Sequence, residues 1–317
     1  MSETAEHKGA AKAAASGAAC RLPPPLRQGD TIGIFAPAGP VQDRNAVEAG
    51  LRLLREAGFT IRCRRDLLDR RQGYLAGDDQ QRVQELHELW QDPEVKALLA
   101  LRGGYGCLRL LPLLDWELLA GRRKVLIGFS DLTVLQLAML QKTGTCPLHG
   151  PMLSTLAQSD RDSVRHFLQI IGGDFSHPIR PKGLEVIRPG QACGPLLGGN
   201  LACLNHLLAT PWEPELRGAV LLLEDVGEAP YRIDRLLTQL ALAGRLQGVA
   251  AIILGEFQDC GPPEDIWQLL LELTAPQQTP LWGNFPAGHG RRNLTLPLGA
   301  EIQLDSQRGE LTFTSPT

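Results

Sequence analysis

The chain of 317 residues has no C-x-x-C pair, no long hydrophobic run, no surplus of positive charge and only 5% aromatic residues. Each shortage excludes something. The seven cysteines, Cys20, Cys63, Cys107, Cys146, Cys193, Cys203 and Cys260, are odd in number and scattered. That pattern argues for reduced thiols in a cytosolic protein and against a disulfide frame or a zinc site. The longest apolar runs, such as residues 249–254, are strand length and far short of a membrane span. A formal net charge of -3 gives no electrostatic reason to expect nucleic acid or an anionic membrane as partner. A small molecule or a peptide is the better default.

Hydrophobic content of 43% and charged content of 21% are those of a globular protein, and the length suits two domains. Residues 1–20 are Ala-rich, carry Lys8 and Lys12, and lack the apolar core of a signal peptide. A disordered leader is therefore expected over residues 1–25. Gly17-Ala-Ala-Cys20 resembles a lipoprotein cleavage site only faintly, because no apolar stretch precedes it.

From Thr31 onward the pattern alternates strand and helix. Strands are predicted at 31–36, 59–63, 95–101, 125–129 and 147–149, with helices from Asp43 to Ala57, from Asp78 to Trp90 and through 108–119. Right-handed βαβ crossings then place the strand C-termini along one edge of a doubly wound sheet. That edge gathers Ala36-Pro-Ala-Gly-Pro40, Arg102-Gly-Gly-Tyr-Gly106 and Ser130. The fold class expected is α/β, a Rossmann-like parallel sheet over residues 26–173 and a smaller mixed α/β domain over 194–317. Pro178, Pro181, Gly183, Pro189 and Gly190 mark residues 174–193 as a linker. In the second domain, helices near 200–208 and 231–242 accompany strands at 219–223 and 249–255, and the tail forms a hairpin about Ser306-Gln-Arg-Gly309.

Gly103-Gly-Tyr-Gly106 follows a strand but matches neither G-x-G-x-x-G nor the Walker pattern, so a dinucleotide site is disfavoured. A loop without side chains beside Ser130 could lend its N–H groups to an oxyanion, or could simply be a tight turn. Ser130 itself stands where the strand 125–129 meets an apolar-faced helix ending near Gly144. At that corner it is either a helix cap, together with Asp131, or a nucleophile beside free N–H groups.

A serine nucleophile needs a base that is itself oriented by a carboxylate. His87 and His166 fall in helical patterns and His149 and His206 suit a core, whereas His289 lies in the exposed loop Phe285-Pro-Ala-Gly-His-Gly290. Glu224 and Asp225 close a buried strand, where an acid is costly unless paired. The order Ser130, Glu224, His289 is a workable triad order, but Leu132 stands where an α/β-hydrolase elbow has its last glycine.

These residues together resemble the LD-carboxypeptidase family of serine peptidases, which includes muropeptide LD-carboxypeptidases and microcin-immunity peptidases. The resemblance runs from Leu26 to Leu304. It is carried by Gly29-Asp-Thr-Ile-Gly-Ile-Phe-Ala-Pro-Ala-Gly39, Arg102-Gly-Gly-Tyr-Gly106, Gly128-Phe-Ser-Asp131, His149-Gly-Pro151, Leu197-Gly-Gly-Asn-Leu201, Leu223-Glu-Asp225, Tyr231-Arg-Ile-Asp-Arg235 and Gly288-His-Gly290. It implies Ser130 as nucleophile, Glu224 as orienting acid and His289 as base, with no metal and no organic cofactor. The implied reaction releases D-alanine from a murein tetrapeptide containing diaminopimelate, during peptidoglycan recycling in the bacterial cytoplasm, by a homodimer. Backbone N–H groups of Asp131 and Gly104 are the expected oxyanion donors. Arg102 or Arg232 is expected to meet the terminal carboxylate, unless each pairs with Asp131 or Asp234 instead. Two alternatives remain, a relative that hydrolyses peptidyl-nucleotide antibiotics with the same triad, and a non-catalytic ligand-binding protein.

Overall fold

In the computed structural model of the protein the described residues are 20–314. The first sheet is built from β1 (Thr31–Phe35), β2 (Thr60–Arg62), β3 (Val95–Ala100), β4 (Val125–Gly128) and β5 (Leu148–His149). Their order is β5-β4-β3-β1-β2 and every pair is parallel. The strands β1, β3 and β4 are buried along their length apart from Lys96, as expected for a sheet covered on both faces. Helices α1 (Arg44–Glu56), α2 (Asp79–Gln91), α3 (Cys107–Leu110), α4 (Trp116–Ala120), α5 (Leu132–Thr143), α6 (Leu153–Leu156) and α7 (Arg161–Ile171) belong to this half. Their starts are written in the sequence. Asp43 accepts the N–H of Ala46 at 3.1 Å, and Asp78 forms a capping box with Gln81.

The second sheet contains β6 (Glu185–Arg188), β7 (Gln191–Asn200), β8 (Val220–Val226), β9 (Ala251–Gln258) and β10 (Leu281–Gly283). The tail adds β11 (Leu296–Pro297), β12 (Glu301–Asp305) and β13 (Glu310–Phe313). Helices α8 (Leu201–His206), α9 (Pro230–Leu242) and α10 (Pro263–Leu273) lie between these strands. The order is β13-β12-β7-β8-β9-β10-β6, parallel from β7 to β10 and antiparallel at both margins. The architecture is the two-part α/β fold expected, a parallel sheet followed by a mixed one.

Several details depart from the sequence reading. The helix expected through 108–119 is three short pieces, because Pro112 cannot donate to a continuing helix and a 3₁₀ turn, Leu111–Leu113, intervenes. The linker expected at 174–193 holds structure: β6 pairs with β10, and β7 begins at Gln191. The tail does not stay in one sheet, since β11 leaves the second half and pairs antiparallel with β5 of the first. Residues 1–19 of the expected leader lie outside the described residues, while residues 20–25 are placed. There Arg21 bridges to Thr145, and Cys20 is paired with Cys146 at a Cα separation of 5.8 Å. That pairing corrects the reading of all seven thiols as reduced, since the short bridge of residue 21 to residue 145 brings two distant cysteines to disulfide spacing.

Helix α5 positions the site. Its residues Leu132 to Met139 are buried on every side, so the one-sided apolar face expected from its pattern is replaced by an all-round core helix. The cause is its place between the halves, against β7 and α8. One apolar cluster runs from Phe129, Leu132 and Leu135 into Leu197, Leu201, Leu204 and Leu221. Each such side chain contributes about 1.5–3 kcal/mol by leaving water.

Candidate active site

The end of β4 aims Ser130 at a cavity. Its φ of 64° lies in the left-handed region, which a residue with a Cβ enters only at a cost of about 1–3 kcal/mol. Phe129 and Leu132, both buried, hold the turn from either side. Neither capping alternative holds: Asp131 makes no side-chain cap, and its carboxylate accepts the N–H of Cys107 at 2.8 Å. Asp131 thus ties the corner of Ser130 to the end of the glycine loop.

That loop closes over the serine. A methyl group on Gly103 would stand 2.9 Å from Ser130 Oγ, so only glycine allows the approach. Gly104, at φ 114°, lines the same cavity. Among the described residues the N–H groups of Asp131 and Gly104 have no backbone acceptor, which leaves both free to donate. Helix α2 supports the loop from beneath. Buried Arg82 donates to Pro37 O and to Gly106 O at 3.0 Å, and buried Glu85 accepts the N–H of Ala36 at 2.9 Å and an Arg70 N–H at 2.8 Å.

The other half of the site comes from the second sheet. Glu224 is fully buried inside β8, not in the loop after it, at a register shift between Leu223 and Asp225. Its Oε2 lies 2.7 Å from His289 Nδ1, and His289 Nε2 lies 3.0 Å from Ser130 Oγ. A carboxylate can only accept, so Nδ1 carries the proton and Nε2 is left to accept from the hydroxyl. Asp225 is occupied elsewhere, accepting from Asn200 Nδ2 at 2.9 Å and from the N–H of Ala202 at 3.0 Å. The His289 loop is held by Asn293, whose Oδ1 accepts the Gly288 N–H at 3.2 Å. Burial works to lower the pKa of His289, but its hydrogen bond to Glu224 and the charges of Glu224, Asp225 and Glu256 outweigh it and leave the value raised. Phe129 stacks edge-on against the imidazole, with ring centroids 4.8 Å apart.

The remaining histidines separate from the site in different ways. His149 is fully buried, and burial with the charge of His289 lowers its pKa to about 3, which keeps it neutral. His87 accepts the N–H of Asp115 at 3.1 Å and His166 lies 2.9 Å from Thr295 O. His206 is exposed, not a core residue. Among the described residues no group of three or more His, Cys, Asp and Glu is placed to hold a metal ion, and no helix is long and apolar enough to cross a membrane.

The cavity, about 270 Å³, is lined by Ser130, His289, Arg102, Gly103, Gly104 and Phe129 together with Gln42, Met152, Thr155 and Gln158. Among the described residues Arg102 keeps one hydrogen bond, from Nη1 to Pro40 O at 3.0 Å, and pairs with no carboxylate. Arg232 does not line this cavity. It sits exposed in the first turn of α9, its guanidinium 3.4 Å from Glu228 and not on Asp234, which corrects its expected place at the substrate. Gln42, Met152, Thr155 and Gln158 carried no signal in the sequence, because only the packing of α1 and α6 brings them to Ser130.

Comparison with known proteins places both halves of the chain. Models of the LD-carboxypeptidase N-terminal and C-terminal domains match residues 32–150 and 193–304. The murein tetrapeptide carboxypeptidase of Pseudomonas aeruginosa is 35% identical over 292 residues, 87% of this chain and 94% of that protein. The microcin C7 self-immunity protein MccF of Escherichia coli is 29% identical over 329 residues, 92% and 95% of the two chains. The crystal structure of muramoyltetrapeptide carboxypeptidase from Oxalobacter formigenes superposes with a TM-score of 0.78 at 31% identity, covering 90% of this chain and 100% of that one.

Proposed function

The chain belongs to the LD-carboxypeptidase family, and from that membership we propose that it is a serine LD-carboxypeptidase releasing the terminal D-alanine of murein tetrapeptides. The single observation that carries the reading is the contact chain from Glu224 through His289 to Ser130, at 2.7 and 3.0 Å. His289 takes the hydroxyl proton as Ser130 attacks the carbonyl of the L-configured residue. The imidazolium is stabilised by Glu224, and the oxyanion is received by the N–H groups of Asp131 and Gly104. A preorganised donor of this kind is worth about 3 kcal/mol in the transition state. His289 then gives its proton to the departing D-alanine nitrogen, and water repeats the sequence on the acyl-serine. Arg102, on the wall of the cavity, meets the terminal carboxylate with its guanidinium fork.

The murein reading is favoured over hydrolysis of a peptidyl nucleotide by the lining of the cavity. Phe129 is the one Phe, Trp or Tyr ring among the described lining residues, and it is spent on His289, so no ring is free to stack a base. Family resemblance further supports a homodimer working in the bacterial cytoplasm, in peptidoglycan recycling. The test is to incubate the purified protein with a diaminopimelate tetrapeptide and measure free D-alanine, with the Ser130→Ala protein as control. Release by the wild type alone supports the reading; no release by the wild type removes it. Unchanged activity and binding in Ser130→Ala would instead leave a ligand-binding protein with no use for the triad.

A further inference from the structure

The segment His149-Gly-Pro151 takes no part in the contact chain of the triad, yet it closes the strand beside the one that leads to Ser130. His149 is paired with Gly128 of β4 on one side and with Leu296 of β11 on the other. The junction is pinned around it. The Gly150 N–H donates to Gly128 O at 3.0 Å, and Gln136 Nε2 of α5 donates to Gly128 O at 2.9 Å and to Leu148 O at 2.8 Å. The imidazole itself has no exposed surface.

Neither ring nitrogen of His149 has a hydrogen-bond partner among the described residues. A polar group buried in that way is costly, so hydrogen bonding does not explain the side chain. Its ring has a clear neighbour instead. The centroids of His149 and Phe129 lie 5.8 Å apart with their planes at 64°, an edge-to-face arrangement. Phe129 meets His289 in the same manner on another side, at 4.8 Å and 60°. One phenyl ring is therefore held between two imidazoles, of which only His289 reaches Ser130. Burial, with the charge of His289 adding to it, lowers the pKa of His149 to about 3, so His149 brings no second positive charge toward the triad.

We propose that His149 is a positioning residue for the triad, acting through Phe129 on the His289 ring and on the turn at Ser130. Phe129 directly precedes Ser130, whose φ of 64° persists only where the surroundings over-determine it. A ring clamped between two others has little freedom to turn. Phe129 then fixes two things at once: the backbone that aims the hydroxyl, and the plane of the imidazole that receives its proton. A side chain of similar volume but without a flat ring would fill the space at His149 and lose the clamp. The proposal rests on the triad as a nucleophilic site, and not on the murein substrate.

The test compares a ring without nitrogens, His149→Phe, with polar atoms without a ring, His149→Gln. Nucleophilicity is read without any peptide, as the rate at which a fluorophosphonate modifies Ser130, followed by intact mass with Ser130→Ala as control. In that step the Oγ–phosphorus bond forms, fluoride leaves and the hydroxyl proton passes to His289. The low-field proton resonance of His289 Nδ1–H, in its bond to Glu224, reports whether the ring keeps its place. His149→Gln should slow modification about tenfold and broaden that resonance, whereas His149→Phe should stay within about threefold of the wild type and retain it. Phe129→Leu should slow modification about as much as His149→Gln, and the two together no more than either alone, because both break one stack. Additive losses would overturn the proposal. So would a wild-type rate in His149→Gln, or a loss in His149→Phe as large as in His149→Gln. A wild type that does not react would remove the nucleophile and the proposal together. The expected differences without D-alanine release would uphold the positioning role and remove only the murein substrate.

Discussion

Ser130 Oγ and His289 Nε2 meet at 3.0 Å although 159 residues separate them, and they reach that distance from two different sheets. Neither loop sets the distance alone. Helix α5, which starts just after Ser130, is wedged against β7 and α8 of the other half, and the strand that follows the His289 loop crosses back to pair with β5. One polar contact is buried in that seam: Thr133 Oγ1 accepts the N–H of Asn200 at 3.0 Å.

Removing the seam contact should therefore loosen the triad without touching it. Thr133→Ala leaves the buried N–H of Asn200 without an acceptor, at a cost of about 1–3 kcal/mol. A fall of about 2–4 °C in melting temperature per kcal/mol is expected for a chain of this size. The rate constant kcat should fall more than KM changes. An unaltered melting curve would show that the seam does not depend on this bond.

The backbone at Ser130 gives a second prediction, because its φ of 64° suits glycine and not alanine. Ser130→Ala and Ser130→Gly should both lose about 10⁴ to 10⁶ in kcat. Only the glycine variant is relieved of strain, so its melting temperature should lie above that of the alanine variant. Equal melting temperatures would mean that the turn stores no strain.

A third concerns pH. With the His289 pKa raised above its ordinary 6.5, the neutral base is lost on acidification at a pH above that value, and kcat/KM should have its acid limb there. Glu224→Gln removes the largest of the contributions that raise it and leaves the burial that lowers it. The limb should then move to lower pH, while kcat falls about 10⁴-fold. Because the folded-state pKa is raised, protonated His289 stabilises the fold fully below its unfolded value, and the contribution disappears as pH rises through the folded one. An acid limb that stays in place in Glu224→Gln would assign it to another group.

Much of this site could be read in the sequence, since the chemistry is concentrated in short glycine-flanked segments such as 102–106, 128–131 and 288–290. Strands and caps were legible for a similar local reason: β1, β3 and β4 are predominantly apolar runs, and Asp43 and Asp78 are side chains whose partners are three residues away. What was not legible depends on distant partners. Arg82 and Glu85 are charged residues within the α2 helical pattern, yet both are fully buried beneath the glycine loops. Arg232 looked well placed next to the Glu224 segment, but the first turn of α9 turns it to solvent. Nothing local announced β11, which is two residues long and exists because β5 offers it an edge.

The buried pair under the loops can be tested directly. Glu85→Ala leaves the Arg70 guanidinium and the Ala36 N–H without their carboxylate inside the protein, whereas Glu88→Ala on the next turn removes an exposed group. The first should destabilise by about 3–5 kcal/mol and the second by less than about 1 kcal/mol. Denaturant unfolding of the two variants distinguishes them, and equal midpoints would mean that water reaches Glu85.

In the proposed reaction Arg102 is the residue on which the carboxypeptidase character rests, as distinct from hydrolysis of any amide. A substrate ending in a free carboxylate must have that charge met inside the cavity, and Arg102 is the cationic side chain among its described lining residues. Its Nη1 is engaged with Pro40 O, which fixes the guanidinium plane and leaves its other N–H groups for a ligand. Arg102→Ala should raise KM for the tetrapeptide about ten- to a hundredfold, the loss of a charge-assisted bidentate contact, with a smaller change in kcat. The comparison that isolates the effect is a tetrapeptide with an amidated C-terminus. It should be a poor substrate for the wild type and nearly indifferent to Arg102→Ala. If both peptides lose equally, the arginine only shapes the loop of Gly39 and Gly103, and the terminal carboxylate is recognised by another group.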